Sequence, residues 1–180
     1  MKNIERIKKS ISGCRRCDLS SERKNTVPGE GSKDAEIVII GEAPGKKEDE
    51  TGRPFVGRAG KVLTEALEKA GIKRSEVFIT NVVKCRPPTN RDPKKDEIKK
   101  CRGYLESQLE TIDPNIIVPL GNSALKTLLD EERISEKRGK TFEKDGRKYM
   151  PTYHPAATIY NRKLRPKLVK DLKKIGEESK

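Results

Sequence analysis

Short continuous runs of apolar residues along the chain predict the strands of a sheet. The runs EIVIIG (residues 36–41), EVFITNVV (around residues 76–83) and NIIVPLG (residues 115–121) are rich in β-branched side chains. Continuous runs of this kind are typical of strands that are covered on both faces. A fourth strand is predicted in KTFEKDGRKYMPTYH, as the second arm of a hairpin that turns at Asp145–Gly146.

Apolar stripes with helical spacing lie before, between and after these runs and predict amphipathic helices. One helix is expected to stop at Gly71, another to start at Asp92 and Pro93, and a short one to be capped by Asn122. Strands that alternate with helices predict an α/β fold, in which helices cover both faces of a parallel sheet. The stripes consist of Ile4, Ile7 and Ile11; Val62, Leu63, Ala66, Leu67 and Ala70; Ile98, Cys101, Leu105, Leu109 and Ile112; Leu125, Leu128 and Leu129; and Leu164, Leu168, Leu172 and Ile175.

The unusual segments of the chain follow the predicted strands. They are GEAPGKKED after the first strand, NVVKCRPPTN after the second, GNSA after the third and HPAATIYNR after the fourth. Parallel sheets bind ligands beyond the carboxyl ends of their strands. We therefore expect these loops to form one composite site at one edge of the sheet.

The composition indicates a polyanionic partner. The chain has 180 residues, which fits a single domain over residues 1–180, and its formal net charge is +13. Such a charge favours nucleic acid as the partner, and a membrane surface is the alternative. The chain has no apolar run long enough to span a bilayer and no signal peptide, so we expect a soluble, cytoplasmic monomer without a membrane partner. Abundant Lys and Glu favour a thermophilic source.

The cysteine spacing predicts a metal site. Cys14 and Cys17 form a C-x-x-C motif, and Cys85 and Cys101 can complete a set of four thiolates. Cys101 lies on the apolar stripe of its helix and is therefore expected to point inward. Zinc and a 4Fe–4S cluster both accept four thiolates, and buried core thiols are a further alternative, so the spacing leaves these open. Disulfides are not expected without a secretory signal.

Three side chains at the strand ends are candidates for binding and catalysis. His154 is the only histidine, ends the predicted fourth strand and precedes Pro155, which stiffens the turn. Cationic surroundings favour its neutral imidazole, which can donate one hydrogen bond. Phe55 lies among Gly and Pro residues and can offer a ring on which a base stacks. Asn81 ends the second strand with an amide that both donates and accepts.

Basic residues near the same edge are candidates for phosphate contacts. GEAPGK is one residue too short for a P-loop, and Lys47 stands where that motif has Ser or Thr, so nucleoside triphosphate binding is not expected. The segment GRAG (residues 57–60) opens a helix whose N-terminus can receive a phosphate. The basic residues that border the edge are Arg86, Arg91, Arg162, Lys163 and Arg165.

The segments GEAPGKKEDETGRPFVGRAG, FITNVVKCRPPTNRDP, IIVPLG and YHPAA, with the four cysteines in order, resemble the family 4 uracil-DNA glycosylases. This family is the iron–sulfur type of archaea and thermophilic bacteria, and the resemblance covers about residues 10–175. It implies a three-layer α/β/α fold around a four-stranded parallel sheet, and a 4Fe–4S cluster held by Cys14, Cys17, Cys85 and Cys101. It also implies hydrolysis of the bond between uracil and deoxyribose in DNA, after the damaged nucleotide has left the base stack.

The resemblance further implies roles for individual residues. Phe55 would stack on the uracil, Asn81 would pair with its Watson–Crick edge, and the backbone at Glu42 and Ala43 would contact a uracil carbonyl. His154 would donate a hydrogen bond to uracil O2, where negative charge grows as the bond breaks. The implied DNA contacts are Arg58, Arg86, Asn90, Ile159, Tyr160, Arg162 and Arg165.

The water-activating group does not follow directly from the resemblance. Family 1 enzymes have an aspartate for this purpose where this chain has Ala43. Glu42 and Glu48 are therefore the candidates, and Glu48 is also a candidate guard against the methyl group of thymine. A serine is common in relatives where Ala156 stands, so one hydroxyl contact to phosphate is missing.

The wedge residue and two rival functions are also open at this point. Thr158 stands where family 1 inserts a leucine into the DNA, so Ile159 or Tyr160 is expected to fill the gap left by the flipped base. One rival is the uracil-crosslinking branch of the superfamily, which has a histidine about where this chain has Asn90. The other is a non-catalytic nucleic-acid-binding module with structural zinc.

Overall fold

Six β-strands form a sheet at the centre of the computed structural model, which describes residues 3–180. The strands are β1 (Glu30–Gly31), β2 (Ile37–Gly41), β3 (Phe78–Asn81), β4 (Ile116–Pro119), β5 (Phe142–Lys144) and β6 (Arg147–Tyr149). Their order in the sheet is β1-β3-β2-β4-β6-β5. β3, β2, β4 and β6 run parallel, whereas β1 and β5 pair antiparallel with β3 and β6. The expected four-stranded parallel sheet is therefore present, with one antiparallel strand added at each edge.

The inner strands are buried on both faces because their apolar runs are continuous. Ile39 of β2 packs into the apolar cluster on one face of the sheet, and Ile40 packs into the cluster on the other face. Successive side chains of a strand point to opposite faces, so one run supplies both clusters. The register pairs Ile39 with Ile79 of β3 and Val118 of β4.

Helices cover both faces of the sheet, as the alternating pattern predicts. The α-helices in the described residues are α1 (Ile4–Ser12), α2 (Lys46–Thr51), α3 (Arg58–Lys69), α4 (Lys95–Ile112), α5 (Gly121–Leu129), α6 (Ile134–Lys137), α7 (Pro155–Tyr160) and α8 (Arg165–Glu178). α1 and α4 pack on one face, and α3, α7 and α8 pack on the other. The fold therefore has three layers. Within residues 3–180, we find no helix whose length and apolar character would let it cross a membrane.

The start of α4 differs from the prediction. The helix begins at Lys95, whereas Asp92 is the expected cap. Glu97 Oε2 accepts a hydrogen bond from the Lys94 N–H at 2.8 Å, so a side chain inside the first turn caps the helix at a later residue. Asp92 is thereby left in the loop that leads into the helix.

Two further helix starts also differ from the prediction. Asn122 lies inside α5, and its Oδ1 accepts a hydrogen bond from the Ile134 N–H at 2.8 Å, at the start of α6. α7 has no counterpart in the prediction. His154 is its N-cap and Pro155 is its first residue, and proline is favoured at the first position of a helix.

The predicted hairpin is confirmed by the pairing of β5 with β6. Its turn residues Asp145 and Gly146 have φ values of 51° and 74°. Two positive φ values are what a type I′ hairpin turn requires. Beyond β6, Thr152 forms a parallel bridge with Leu120, so the chain that follows reaches the carboxyl edge of the sheet.

Candidate active site

The loops at the carboxyl ends of the parallel strands enclose a cavity of about 650 Å³. Its walls include Glu42 after β2, Asn81 at the end of β3, Gly121 after β4 and His154 after β6. Phe55 contributes from the segment between α2 and α3. The structure therefore contains the composite site expected from strand order, because parallel strands deliver their following loops to one edge.

The side chains of Phe55, Asn81 and His154 converge in this cavity. The ring centroids of Phe55 and His154 are 5.7 Å apart, and the ring planes are inclined by 37°. Gly41, at the end of β2, lies beside the Asn81 amide and the Phe55 ring. A Cβ atom on Gly41 would lie 2.5 Å from Asn81 Oδ1 and 2.6 Å from Phe55 Cζ. Glycine at this position lets the amide and the phenyl ring lie side by side.

The backbone of Phe55 is held in a conformation that favours glycine. Its φ is 48°. Arg74 donates from Nη1 to the Phe55 carbonyl at 2.9 Å and from Nη2 to the Pro54 carbonyl at 2.6 Å. A Cβ atom on Gly60 would lie 1.9 Å from the Phe55 carbonyl oxygen, so α3 packs directly against this segment. These contacts offset a backbone cost of about 1–3 kcal/mol and fix the phenyl ring in the cavity.

The side chain of Asn81 is buried with an unpaired acceptor. It is 1% exposed, and its Oδ1 has no hydrogen-bond partner among the described residues. A buried polar atom without a partner costs about 1–3 kcal/mol. Such an atom in the wall of a cavity indicates a place where a ligand can donate a hydrogen bond.

His154 is a neutral imidazole with a defined tautomer. Burial lowers its pKa to about 4. Its Nδ1 accepts a hydrogen bond from the Ala156 N–H at 3.0 Å, so the ring proton lies on Nε2. Gly121, with φ of 79°, packs so closely that a Cβ atom there would lie 2.9 Å from His154 Cβ. The ring is thus held in place and offers one N–H donor.

Glu48 is engaged by the backbone of the loop that carries Phe55. Its Oε2 accepts hydrogen bonds from the N–H groups of Val56 at 3.1 Å and Gly57 at 2.8 Å. Its Oε1 accepts from the Gly45 N–H at 3.2 Å. The carboxylate therefore ties the start of α2 to the segment between α2 and α3.

Glu42 has a different environment, in which other side chains approach its carboxyl group. Burial raises its pKa, and a hydrogen bond with Ser123 partly opposes that rise. The nearby Asp92 carboxylate raises the pKa of Glu42 further. Glu42 is therefore a stronger base than an ordinary carboxylate, and it lies in the wall of the cavity.

Several residues expected to contact DNA lie at the mouth of the same cavity. Arg58, Asn90 and Tyr160 line it, and the Tyr160 side chain is 92% exposed. Arg86 Nε donates a hydrogen bond to Asn90 Oδ1 at 2.7 Å. Ile159 is partly buried against the apolar core, so of the two wedge candidates only Tyr160 projects into solvent.

The remaining basic candidates are divided between a groove and an internal ion pair. Arg162 and Arg165 line a neighbouring groove beside α8. Arg91 instead forms two hydrogen bonds with the buried Glu97, at 3.0 Å and 2.7 Å, and this partner lowers the pKa of Glu97. The Arg91 side chain therefore supports the start of α4. It also lines the cavity, and its contact with phosphate stays a prediction.

The four cysteines line one cavity on the α1 and α4 side of the sheet. All of them are free thiols, as expected, and Cys101 packs against the core. Arg23 Nη1 donates a hydrogen bond to Cys85 Sγ at 3.4 Å. Within residues 3–180, no group of three or more His, Cys, Asp or Glu side chains has an arrangement that could hold a metal ion.

Comparison with known proteins decides the family. A model of the uracil DNA glycosylase superfamily matches residues 28–175. A type-4 uracil-DNA glycosylase of Archaeoglobus fulgidus is 48% identical over 186 residues, which cover 98% of this chain and 94% of that protein. The chain belongs to the type-4 uracil-DNA glycosylases. Further members from Sulfurisphaera tokodaii and Saccharolobus solfataricus are each 48% identical over 98% of this chain, covering 85% and 87% of their own lengths.

Some residues that shape the cavity of this type-4 uracil-DNA glycosylase carry no local signal in the sequence. Arg74 holds Phe55 from 19 positions away. Asp92 comes near Glu42 from the loop before α4, and Ser123 comes near it from the first turn of α5. Lys84 is an exception, because the sequence does mark it. It is a charged residue that directly follows the apolar run of β3, and its side chain is buried.

Proposed function

We propose that this chain hydrolyses the bond between uracil and deoxyribose in DNA, which releases uracil and leaves an abasic site. The convergence of Phe55, Asn81 and His154 in one cavity is the observation that carries the proposal. Together they offer a stacking surface, an amide for the edge of a base and a donor for a developing anion. A base inside a duplex is out of reach of such a cavity, so the target nucleotide would leave the stack to enter it.

Base recognition would depend on the orientation of the Asn81 amide. The unpaired Oδ1 would accept a hydrogen bond from uracil N3–H, and the amide nitrogen would donate to O4. Cytosine has no hydrogen on N3 and has an amino group on C4. Its N3 acceptor would therefore face the Asn81 Oδ1 acceptor, and its amino donor would face the Asn81 amide donor. Phe55 would stack on the base, and backbone at Glu42 and Ala43 would contact a uracil carbonyl.

His154 would stabilise the departing uracil anion. Its Nε2–H would donate to uracil O2, and this hydrogen bond would strengthen as negative charge develops there. A positioned donor of this kind acts mainly in the transition state, because the neutral base in the ground state binds it less strongly. The lowered pKa keeps the imidazole neutral at physiological pH, so its tautomer stays fixed by Ala156.

Glu42 would orient and activate the attacking water, and its carboxylate would favour the cation-like sugar. Its raised pKa makes it a better proton acceptor, and the Asp92 carboxylate beside it supports that role. Glu48 is occupied by three backbone N–H groups, which favours a role in holding the loop. From that position it would also guard the cavity against the methyl group of thymine.

The DNA would lie across the mouth of the cavity. Arg58, Arg86 and Asn90 would contact the backbone near the flipped nucleotide, and the exposed Tyr160 ring would fill the gap in the stack. Further phosphate contacts would come from Arg162 and Arg165.

Cys14, Cys17, Cys85 and Cys101 would hold a 4Fe–4S cluster. Four free thiols that line one cavity match the set of four thiolates that such a cluster needs, and zinc is the alternative. When bound, the cluster would cross-link the parts of the chain that carry the four cysteines. The cysteines lie outside the cavity that holds Phe55 and His154.

The proposed reaction is tested by incubating the protein with a uracil-containing oligonucleotide, cleaving with alkali and separating the products on a gel. We expect cleavage at uracil and none in a matched oligonucleotide with cytosine or thymine. His154→Ala should lower the single-turnover rate by about 10²–10³-fold, as the loss of an oxyanion donor does in other enzymes. Asn81→Ala should lower both the rate and the preference for uracil.

Variants of the two glutamates distinguish their roles in the same assay. Glu42→Gln should lose more activity than Glu48→Gln, which retains one oxygen acceptor for the loop. DNA binding without cleavage would instead favour a non-catalytic binding module. Cleavage that is undiminished in both His154→Ala and Asn81→Ala would also rule out the proposed mechanism.

A further inference from the structure

Lys84 is a buried lysine directly behind the cavity, and none of the roles above uses it. Its side chain is 1% exposed, and it is the only lysine in residues 3–180 that is buried. Its Nζ donates to Thr80 Oγ1 at 2.6 Å, to the Asn81 carbonyl at 2.8 Å and to Gln108 Oε1 at 2.7 Å. Three acceptors match the three N–H groups of an ammonium ion. A buried lysine is costly unless it is paired in this way.

The partners of Lys84 are themselves fixed by a second set of hydrogen bonds. Gln108, which is 1% exposed, donates from Nε2 to the Pro28 carbonyl at 2.7 Å. The Thr80 hydroxyl donates to the same carbonyl at 3.0 Å, and the Val27 N–H donates to the Lys84 carbonyl at 2.7 Å. Every hydrogen in this network therefore has one consistent direction. The network joins β3, α4 and the segment before β1 around a single ammonium group.

The network ends on the residue that would recognise the base. Asn81 is the last residue of β3. Lys84 Nζ donates a hydrogen bond to the main-chain carbonyl of Asn81, and the side chain of Asn81 faces the cavity. On its other side, Lys84 lines the cavity of the cysteines, and its backbone N–H donates a hydrogen bond to Cys101. Lys84 therefore contacts both the candidate base-binding residue and a candidate cluster ligand.

We propose that Lys84 is a positioning residue for base selection, which fixes the backbone of Asn81 and so the direction of the amide that separates uracil from cytosine. The inference rests on the proposed function, in which Asn81 reads the base. Removal of the ammonium group would leave the Asn81 carbonyl and Gln108 Oε1 without a donor. The end of β3 would then shift to find new partners, and the amide would shift with it.

The test compares binding of two oligonucleotides that carry 2′-fluoro-deoxyuridine or 2′-fluoro-deoxycytidine, which resist hydrolysis. In Lys84→Met, the ratio of the two affinities should fall by roughly ten- to a hundredfold, as expected when a binding group is displaced by about 1 Å. Iron content and visible absorption are measured on each sample, so that only cluster-loaded protein is compared. Leu109→Ala, next to Gln108 in the core of α4, is the control, since it should lower the melting temperature and leave the ratio unchanged.

A double-mutant cycle separates positioning from general support. If Lys84 acts through Asn81, then Lys84→Met should cause no further loss of selectivity in the Asn81→Ala background. Losses that add, or a wild-type affinity ratio in Lys84→Met, would overturn the inference. If Lys84→Met does not fold, Gln108→Leu removes one acceptor of the same network and should lower the ratio in the same direction. A wild-type protein with no preference for uracil would instead contradict the proposed function itself.

Discussion

His154 combines a lowered pKa with a single free donor, and both properties come from its surroundings. The ring is largely desolvated, which disfavours the imidazolium ion. Protonation at Nδ1 would also break the hydrogen bond from Ala156 that caps α7. A neutral imidazole is suited to an anionic leaving group, because it can donate a hydrogen bond without passing its proton to the uracil.

The titration of His154 can be followed directly, because it is the only histidine in the chain. We expect its C2–H resonance in NMR spectra to titrate near pH 4, well below the ordinary value of about 6.5. An unfolded chain binds this proton below about pH 6.5 and the folded chain does not until about pH 4. His154 should therefore contribute stability above pH 6.5 that is lost as the pH falls toward 4, by up to about 3 kcal/mol and less where water enters the cavity. Titration near pH 6.5, or the same acid sensitivity in His154→Gln, would contradict the assignment.

At the level of single residues, sequence reasoning could find the groups that end strands but not those that support them. Asn81 and His154 stand at the ends of predicted strands, so the rule for parallel sheets brings them to one edge. Arg74, Lys84 and Asp92 act on partners that are distant in sequence or that depend on how a loop folds back. Their geometry depends on tertiary hydrogen bonds, which have no period or motif.

At the level of elements, the inner strands β2, β3 and β4 were predictable because burial on both faces needs continuous apolar runs, whereas the two-residue β1 at the edge of the sheet has no such run. The ends of helices were less predictable than the strands, because a side chain inside a helix or in a neighbouring loop can change the residue at which the helix begins or ends. Glu97 caps α4 from its first turn and is held by Arg91, which places the start of the helix beyond Asp92. α7 is only six residues long, which is too short for a stripe to be recognised.

The four cysteines come from three separate elements, so the proposed cluster would link these elements and the loss of one cysteine should affect all of them. Cys14 and Cys17 follow α1, Cys85 follows β3 and Cys101 lies on α4. Cys101→Ser should lower iron and labile sulfide content, bleach the visible absorption and make the segment around α1 more sensitive to protease.

Tyr104→Phe is the matched control for this prediction. Tyr104 lines the same cavity, and its hydroxyl forms hydrogen bonds with the Ser10 carbonyl at 3.4 Å and with the Cys14 thiol, so the variant removes a hydroxyl beside the cysteines while all four thiols remain. That variant should retain iron and colour. A colourless wild-type protein with bound zinc, or full iron retention in Cys101→Ser, would show that the assignment of a 4Fe–4S cluster is wrong.

At the level of the whole molecule, positive charge lies beside the cavity. The groove beside α8 includes Arg162, which lies two residues after Tyr160. Among the described residues, the walls of this groove contain basic and apolar side chains but no acidic ones. The charged members are Lys69, Arg162, Arg165, Lys170 and Lys173. We expect the DNA strand beyond Tyr160 to run along this groove. Its contacts should act on phosphates and carry no information about the base.

The groove is tested by the salt dependence of DNA binding in the double variant Arg162→Ala, Lys170→Ala. Each lost phosphate contact should make the slope of log affinity against log salt concentration shallower by about 0.9 for duplex and 0.7 for single-stranded DNA. Fluorescence anisotropy over a series of salt concentrations measures this slope, and the preference for uracil over cytosine should stay unchanged. Lys33→Ala is the control, because Lys33 is exposed and precedes β2 at the amino ends of the parallel strands, away from the cavity. An equal slope in the double variant and in Lys33→Ala would mean that the strand takes another path, and that the excess positive charge of the chain acts only at long range.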